Sequence, residues 1–363
     1  MPDTHPQLPP DLRPFISGGV LDPTKARAAG VNRDRLHRLA RAGVLTRLAP
    51  GTYAVAAVVA DLGEWDRFKL ASRAFALAHP FTFLTGWAAT VTWGLPTIGP
   101  PPIQPSAIRP KGSGGTTSHS GRGRILVANL PADHRWRKGR GLRLVSLAWA
   151  AADLARTAPL PHSLVVVDRA LRRGADLGDA LVHMARWENV GRARWVAEHA
   201  DPASESPLET LGRFAFVEYG LPMPVSNAWV GRDAPERRLD GLLPWHWIAL
   251  EGDGAIKYDN RDDASQIVRA QQVREFHLRR FGLEFARYGW PDVFPSRRPL
   301  ADRVMALLAE RPPRTVPIRW WKDVPGGTPV EPDAADWPSP HPPGISLPAG
   351  WDREYVERRR RLG

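Results

Sequence analysis

Proline constrains the architecture before any periodicity is read. The 363-residue chain carries 37 prolines, about twice the usual share of roughly 5%. Proline interrupts helix interiors and central strands alike, so irregular connections should separate several compact parts. A length/150 prior suggests roughly two or three. Eleven of the prolines fall in the forty positions 311–350, marking a tail expected to be irregular, draped or disordered. Residues 1–14, also proline-rich, are expected to be frayed.

Hydrophobic residues make up 43% of the chain and 15 are Trp, enough for packed cores. There is no cysteine, which excludes disulfides, thiolate zinc sites, iron–sulfur clusters and cysteine nucleophiles. The start, MPDTHPQLPPDL, lacks the basic-then-apolar pattern of a secretory signal, and no run of some 18 apolar residues exists. The expectation is a cytoplasmic protein without a membrane partner. The 50 Lys+Arg exceed the 38 Asp+Glu, giving a net charge of +12, so a polyanion is the first partner to consider.

That charge is unevenly distributed. Between Thr24 and Tyr53 there are seven Lys/Arg and one acid, Asp34. Asp22-Pro23-Thr24 reads as a helix start and Gly30 as its end; Asn32 caps a second helix, RDRLHRLARAG, with Leu36, Leu39 and Ala40 on one face. Arg38, Arg41 and Asp34 lie opposite, with Arg35 at the edge. VLTRL and TYAV, joined by Ala49-Pro50-Gly51, make a tight ribbon. Helix, sharp turn, basic helix and ribbon compose a winged helix-turn-helix over 18–60. In such a unit the second helix enters the major groove and the ribbon reaches neighbouring phosphates. Arg33, Arg35, Arg38, Arg41 and Arg47 are the candidate DNA-contacting residues. The bland alternative is a helical hairpin with a solvated basic face.

Residues 61–200 read as a mixed, mostly helical middle domain. Two helices are expected in 61–95, the second being FLTGWAATVTWGL; SAIRP and RILVANL are strands; helices follow near 146–157, 162–173 and 176–200. From Arg109 to Arg143 nine Lys/Arg face one acid, Asp133, either a charged mobile loop or a second phosphate-tracking strip.

A new unit opens at 201 and runs to 295. SESPLETLGRFAFVEYG is an amphipathic helix; PVSNAWV and RRLDGLL are strands joined by GRDAPE; WHWIALEGDG is a third strand; a helix over Asp262–Phe281 leads to a fourth, LEFARY. This order describes an α/β sandwich built around a hairpin. Residues 296–363 add one helix, the Pro-rich tail and a basic end. Residues 201–263 hold 12 acids against 6 bases. Asp240 lies on one hairpin strand, Glu251 and Asp253 on the next, two apart and so on one face if the strand continues. Converging carboxylates suit a hard divalent cation, which can activate water and stabilise charge on a phosphodiester in transition. Asp240, Glu251 and Asp253 are therefore candidate metal ligands for Mg²⁺ or Mn²⁺, and Lys257 a cation for a phosphate oxygen or the attacking water. Glu209 is a further candidate, although Ser206-Pro207-Leu208-Glu209 also reads as a capping box. Asp240-Gly241 and Asp253-Gly254 are also ordinary turn dipeptides.

The N-terminal two-thirds resembles the AbiEi-type antitoxins of type IV toxin–antitoxin and abortive-infection systems. GVNRDRLHRLARAGVLTRLAPGTYAV is similar to their winged helix, and FLTGWAATVTWGL, LRLVSLAWAAADLAR and VVVDRALRRG are similar to the linking region of actinobacterial members. Residues 204–294 resemble the very-short-patch-repair-like branch of the PD-(D/E)XK nucleases, whose helix glutamate, hairpin aspartate and acid-x-Asp-Gly-x-x-His run match Glu209, Asp240, Glu251, Asp253 and Gly254. Asp253 stands where the wider superfamily has its lysine, a substitution that the branch shares. Lys257 stands where the branch has histidine, and lysine at its ordinary pKa is a poor base. The resemblance implies an α+β multidomain chain: a winged helix-turn-helix, a mixed helical middle region and an α/β restriction-endonuclease-like domain. Two functions follow from it. One is a DNA-binding protein with a Mg²⁺-dependent endonuclease domain, in phage defence or DNA repair. The other is a non-enzymatic antitoxin and autorepressor, its nuclease-like domain a binding platform and its partner a nucleotidyltransferase-type toxin.

Overall fold

The computed structural model describes residues 8–120, 122–139, 141–254 and 279–351. The chain divides into two compact units, Met1–Ala158 with Arg173–His199, and Pro159–Arg172 with Ala200–Gly363. The helix α7 (Leu160–Arg172), which the sequence groups with the middle domain, thus belongs to the second unit.

The first unit begins with α1 (Pro23–Ala28) and α2 (Arg33–Arg41). Their starts follow from capping: the Asp22 carboxylate accepts from the backbone N–H of Thr24 and Lys25, and the Asn32 side chain accepts from that of Asp34. The ribbon is β3 (Leu45–Ala49) against β4 (Thr52–Val55), antiparallel, and β1 (Ile16–Ser17) and β2 (Val20–Leu21) extend it in the order β1-β2-β4-β3. Leu36, Leu21, Ala26, Val44, Leu45 and Tyr53 make the core beneath.

Leu12 belongs to that core and is fully buried. It sits in a short 3-10 helix, Pro10–Phe15, so the expected fraying does not extend to these residues. Proline there fixes the chain rather than loosening it, because its preset φ suits the first positions of a helical turn.

A six-stranded sheet follows, built from β5 (Phe83–Thr85), β6 (Ser106–Pro110), β7 (Ser118–Ser120), β8 (Gly123–Ala128), β9 (Arg135–Lys138) and β10 (Leu142–Val145), in the order β7-β8-β6-β5-β10-β9. Helix α3 (Ala56–Ala60) follows the ribbon, and α4 (Glu64–Ala78), α5 (Gly86–Trp93) and α6 (Leu147–Thr157) accompany the six-stranded sheet. The expected helix FLTGWAATVTWGL therefore starts with a strand: Phe83–Thr85 pairs antiparallel with β6 and parallel with β10, and only Gly86 onward is helical. The expected helix over 176–200 is two, α8 (Gly178–His183) and α9 (Val190–His199), separated by a stretch in which Asn189 takes φ 59°.

In the second unit, α10 (Pro207–Glu218) packs on a four-stranded sheet ordered β11-β14-β15-β16. Its strands are β11 (Val225–Ser226), β14 (Gly241–Leu243), β15 (Ile248–Gly252) and β16 (Glu284–Tyr288). β14 and β15 are antiparallel neighbours, whereas β15 and β16 are parallel. A parallel neighbour requires a long crossover; most of that connection, with the helix expected over Asp262–Phe281, lies outside the described residues.

The expected hairpin of PVSNAWV and RRLDGLL forms, but it divides between two sheets. Its distal half, β12 (Trp229–Val230) with β13 (Arg237–Arg238), joins β17 (Trp320–Trp321) of the Pro-rich tail in the order β13-β12-β17. The break falls at Asn227, with φ 53°, opposite Asp240. The tail is thus draped and anchored through tryptophan: Trp320 is 1% exposed, and the Trp245 indole N–H donates to the Pro338 carbonyl at 2.8 Å. The α7–α10 contact carries a buried polar knot. Asp168 accepts from Thr210 Oγ1 at 2.8 Å, from the Asp201 backbone N–H at 2.7 Å and from Arg213 Nη2 at 3.2 Å. Among the described residues no helix is long and apolar enough to cross a membrane.

Candidate nucleic-acid interface and acidic site

Burial of Leu36 in the core turns the other side of α2 to solvent. Arg33, Arg38 and Arg41 are exposed there, and Arg47 is exposed on β3, across the ribbon from Tyr53. Among the described residues Arg38, Arg41 and Arg47 take no ion-pair or hydrogen-bond partner, whereas Arg33 Nε donates to His37 Nε2 at 3.3 Å. Arg35 differs. Its Nη1 and Nη2 donate to the two oxygens of Asp11 at 2.6 and 2.9 Å, a bidentate pair that holds the Asp11 carboxyl below its usual range. It clamps the N-terminal turn to α2, so of the five candidate arginines it is the one already occupied by a carboxylate. Three guanidiniums without partners among the described residues, on one helix and its ribbon, can each take a phosphate oxygen or a base edge.

The basic stretch 109–143 does not form one strip. β7 and β8 lie at one end of the six-stranded sheet and β9 at the other, so Arg122 and Arg124 are separated from Arg135, Arg137 and Lys138 by the sheet's width. Several of these cations also serve the fold. Arg135 donates to the Leu130 carbonyl, Lys138 Nζ to the Thr92 carbonyl at 2.6 Å, and Arg143 to the Pro80 carbonyl.

In the second unit the acids gather around Tyr288, a residue that sequence reasoning did not single out. Its hydroxyl is buried, and burial together with the negative charges of Asp240, Glu209, Glu251 and Asp253 drives its pKa well above the ordinary value. The approach depends on Gly212: a side chain there would collide with the Tyr288 phenol. The same helix carries Glu209, which performs the capping role. Ser206 Oγ donates to Glu209 Oε1 at 2.7 Å, and the Glu205 N–H donates to Oε2 at 2.8 Å. Burial, reinforced by the charges of Asp240 and Glu205, raises the Glu209 pKa.

Asp240 lies between β13 and β14, and its Oδ2 accepts from the Gly252 N–H at 2.8 Å. Glu251 is on β15, 8% exposed. β15 ends at Gly252, but the Asp253 N–H still donates to the Tyr288 carbonyl at 2.8 Å, extending the ladder by one residue. The Asp253 carboxylate is held by Arg287, with Nε to Oδ2 at 2.9 Å and Nη2 to Oδ1 at 3.1 Å. Arg287 was also outside the candidate set. It stands opposite Glu251 only because of the β15–β16 register, Glu251↔Arg287 and Gly252↔Tyr288. Lys257 lies outside the described residues.

This arrangement limits what a cation would meet. The cleft lined by Glu209, Asp240, Leu250 and Tyr288, which Glu251 and Asp253 do not line, has about 10 Å³ of free space, room for one water at most; Asp253 instead lines a separate opening beside Arg287 and Tyr288. Mg²⁺ prefers octahedral oxygen coordination and keeps several waters. Both Asp253 oxygens are occupied, and among the described residues no three His, Asp or Glu are grouped to hold a metal. As arranged, these acids do not fit a hydrated divalent ion.

Comparison with known proteins gives two findings. The chain is 28% identical over 103 residues to two Mycobacterium tuberculosis proteins, the uncharacterized protein Rv2248 of strain H37Rv and the uncharacterized protein MT2308 of strain CDC 1551 / Oshkosh. The match spans 27% of this chain and only 38% of each relative. Residues 12–56, from the buried Leu12 through α1, α2 and the ribbon, match the family described as transcriptional regulator, AbiEi antitoxin.

Proposed function

We propose that the chain is a DNA-binding transcriptional regulator of the antitoxin kind, which sits on its own promoter and opposes a nucleotidyltransferase-type toxin as part of phage defence. One observation carries this reading. In the segment similar to AbiEi antitoxins, Arg38, Arg41 and Arg47 face solvent on the second helix and the ribbon with no partner among the described residues. Arginines so placed serve phosphates and guanine edges, while the Arg35–Asp11 pair keeps the helix in place. The test is a gel shift of the purified chain on the DNA upstream of its own gene, with unrelated DNA as competitor. A shift that resists the competitor at moderate salt is expected; equal binding to both DNAs would remove the regulator assignment. Mixing with the product of an adjacent toxin-like gene should give a complex on gel filtration.

A second reading, a Mg²⁺- or Mn²⁺-dependent endonuclease, is supported by four carboxylates close enough to act on one buried phenol, those of Glu209, Asp240, Glu251 and Asp253. Because the acids as arranged do not fit a hydrated ion, this reading requires Asp253 to leave Arg287. Its test is a melting curve with and without Mn²⁺. A stabilisation that vanishes in Glu251→Ala and Asp240→Ala, with plasmid cleavage lost in both, is the expected result; no stabilisation would reject the site.

A further inference from the structure

A cavity of the first unit is lined by none of the candidate DNA-contacting arginines. It has a volume of about 610 Å³, within the range of roughly 300–1,000 Å³ typical of small-molecule sites. Val58, Leu62, Leu70 and Leu142 give it apolar walls, and Lys69, Arg73 and Lys138 bring three cations against one carboxylate, Asp66. The cations come from two elements. Lys69 and Arg73 are one turn apart on α4, and Lys138 ends β9.

The cavity is built by close packing of a glycine turn. Gly18 and Gly19, between β1 and β2, both take positive φ, 58° and 78°. A Cβ at Gly18 would lie 2.9 Å from the Arg73 guanidinium carbon, and one at Gly19 would lie 2.8 Å from Leu70 Cδ1. Only glycine lets this turn approach α4, where Arg73 Nε donates to the Ser17 carbonyl at 3.1 Å. Lys138 is fixed by its bond to the Thr92 carbonyl and by the Trp93 ring, whose centroid is 5.4 Å from Nζ. Lys69, by contrast, is exposed and has no partner among the described residues. Burial and the positive charges of Arg173 and Lys69 lower the Lys138 pKa, as expected where cations outnumber carboxylates.

We propose that this cavity binds a small organic anion, its apolar body against Val58, Leu62, Leu70 and Leu142 and its anionic group between Lys69, Arg73 and Lys138. A DNA backbone is a poorer occupant, since phosphates track a surface and gain nothing from enclosed apolar walls. A free inorganic anion would leave those walls unfilled. The apolar and cationic parts of the lining together specify an amphipathic ligand of fewer than some tens of heavy atoms.

The probe is 1-anilinonaphthalene-8-sulfonate, an aromatic body with one sulfonate, titrated into the full chain by fluorescence and calorimetry, with uncharged N-phenyl-1-naphthylamine as comparator. Saturable one-to-one binding of the sulfonate, at least about tenfold tighter than the neutral compound, is expected. Lys69→Gln should weaken it by about three- to tenfold. Asp66→Asn should tighten it, because the one lining carboxylate is removed. Leu62→Trp should abolish it by filling the apolar wall. The melting curve of Lys69→Gln should match wild type, since its side chain has no partner among the described residues. Binding that is unchanged in all three variants, or equal affinity for the charged and neutral compounds, would overturn the proposal.

Discussion

Replacing Arg38, Arg41 and Arg47 together by Gln should change how DNA binding responds to salt, and should do so without unfolding the winged helix. All three side chains are exposed and unpaired among the described residues, and glutamine keeps helix propensity on α2. Each phosphate neutralised by a side chain contributes about 0.9 to the slope of log affinity against log salt. A fourfold rise in salt then weakens binding by roughly 3.5-fold per contact, and three lost contacts remove about 40-fold of that response. The assay is fluorescence anisotropy on one duplex at two salt concentrations, comparing wild type, the triple variant and Arg35→Gln. The slope should fall by about 2.7 in the triple variant and stay unchanged in Arg35→Gln, whose guanidinium is occupied by Asp11. Equal slopes for wild type and triple variant would refute the placement of α2 and the ribbon on DNA. A slope that falls for Arg35→Gln would show instead that the Asp11 clamp opens on binding.

Three further outcomes concern stability. Asp168→Ala should cost about 3–5 kcal/mol in urea unfolding followed by tryptophan fluorescence, because it removes the carboxylate that Arg213, itself 9% exposed, donates to, leaving that cation the longer 3.8 Å approach to Asp201 and the Thr210 hydroxyl the Ser206 carbonyl at 3.3 Å; a loss below about 1 kcal/mol would mean that the knot is solvated. Leu12→Ala should cost about 2–5 kcal/mol in the first unit's transition, since the side chain is fully buried among Leu21, Leu36 and Tyr53. Glu209 has its folded pKa raised above 4.5, chiefly by burial, so its contribution to stability is fully present below 4.5 and is lost as pH rises through the raised value. Wild type should therefore lose stability relative to Glu209→Gln on going up through that window, and parallel pH profiles would contradict the burial.

The parts of the fold that were legible in the sequence are those fixed by neighbouring residues. Asp22, Asn32 and the glycines of the first unit act within a few positions, so α1, α2 and the ribbon fall where the residues place them. Longer-range facts were hidden for physical reasons. β9, Arg135-Trp136-Arg137-Lys138, has every side chain exposed, so it carries no apolar alternation to betray a strand. Whether its cations join those of β8 depends on strand order, which pairing across the sheet decides. Arg287 and Tyr288 become neighbours of the acids through parallel register alone. Trp320 and Trp321 were read as part of an irregular tail because proline surrounds them, yet two residues suffice to add a strand to β12.

The acidic excess of residues 201–263 looked, as a count, like a pool of free carboxylate that would demand a cation. The structure distributes it otherwise. Glu205 is held by Arg172 and Arg238, Glu218 by Arg297, and Asp253 by Arg287, each an arginine brought from another element. What remains close to Tyr288 is Glu209, tied into its helix cap, Asp240, accepting a backbone N–H, and Glu251, almost buried. Among the described residues these carboxylates are therefore spent on joining helix to sheet and strand to strand, a use that needs no metal. The cations of α2 and the ribbon show the reverse pattern, exposed and without protein partners among the described residues. A charge that the fold leaves unpaired at the surface is kept at a cost in self-repulsion, and an external polyanion is what relieves it. The electrostatic case for DNA binding thus rests on the first unit and stands whether or not the second unit ever holds an ion.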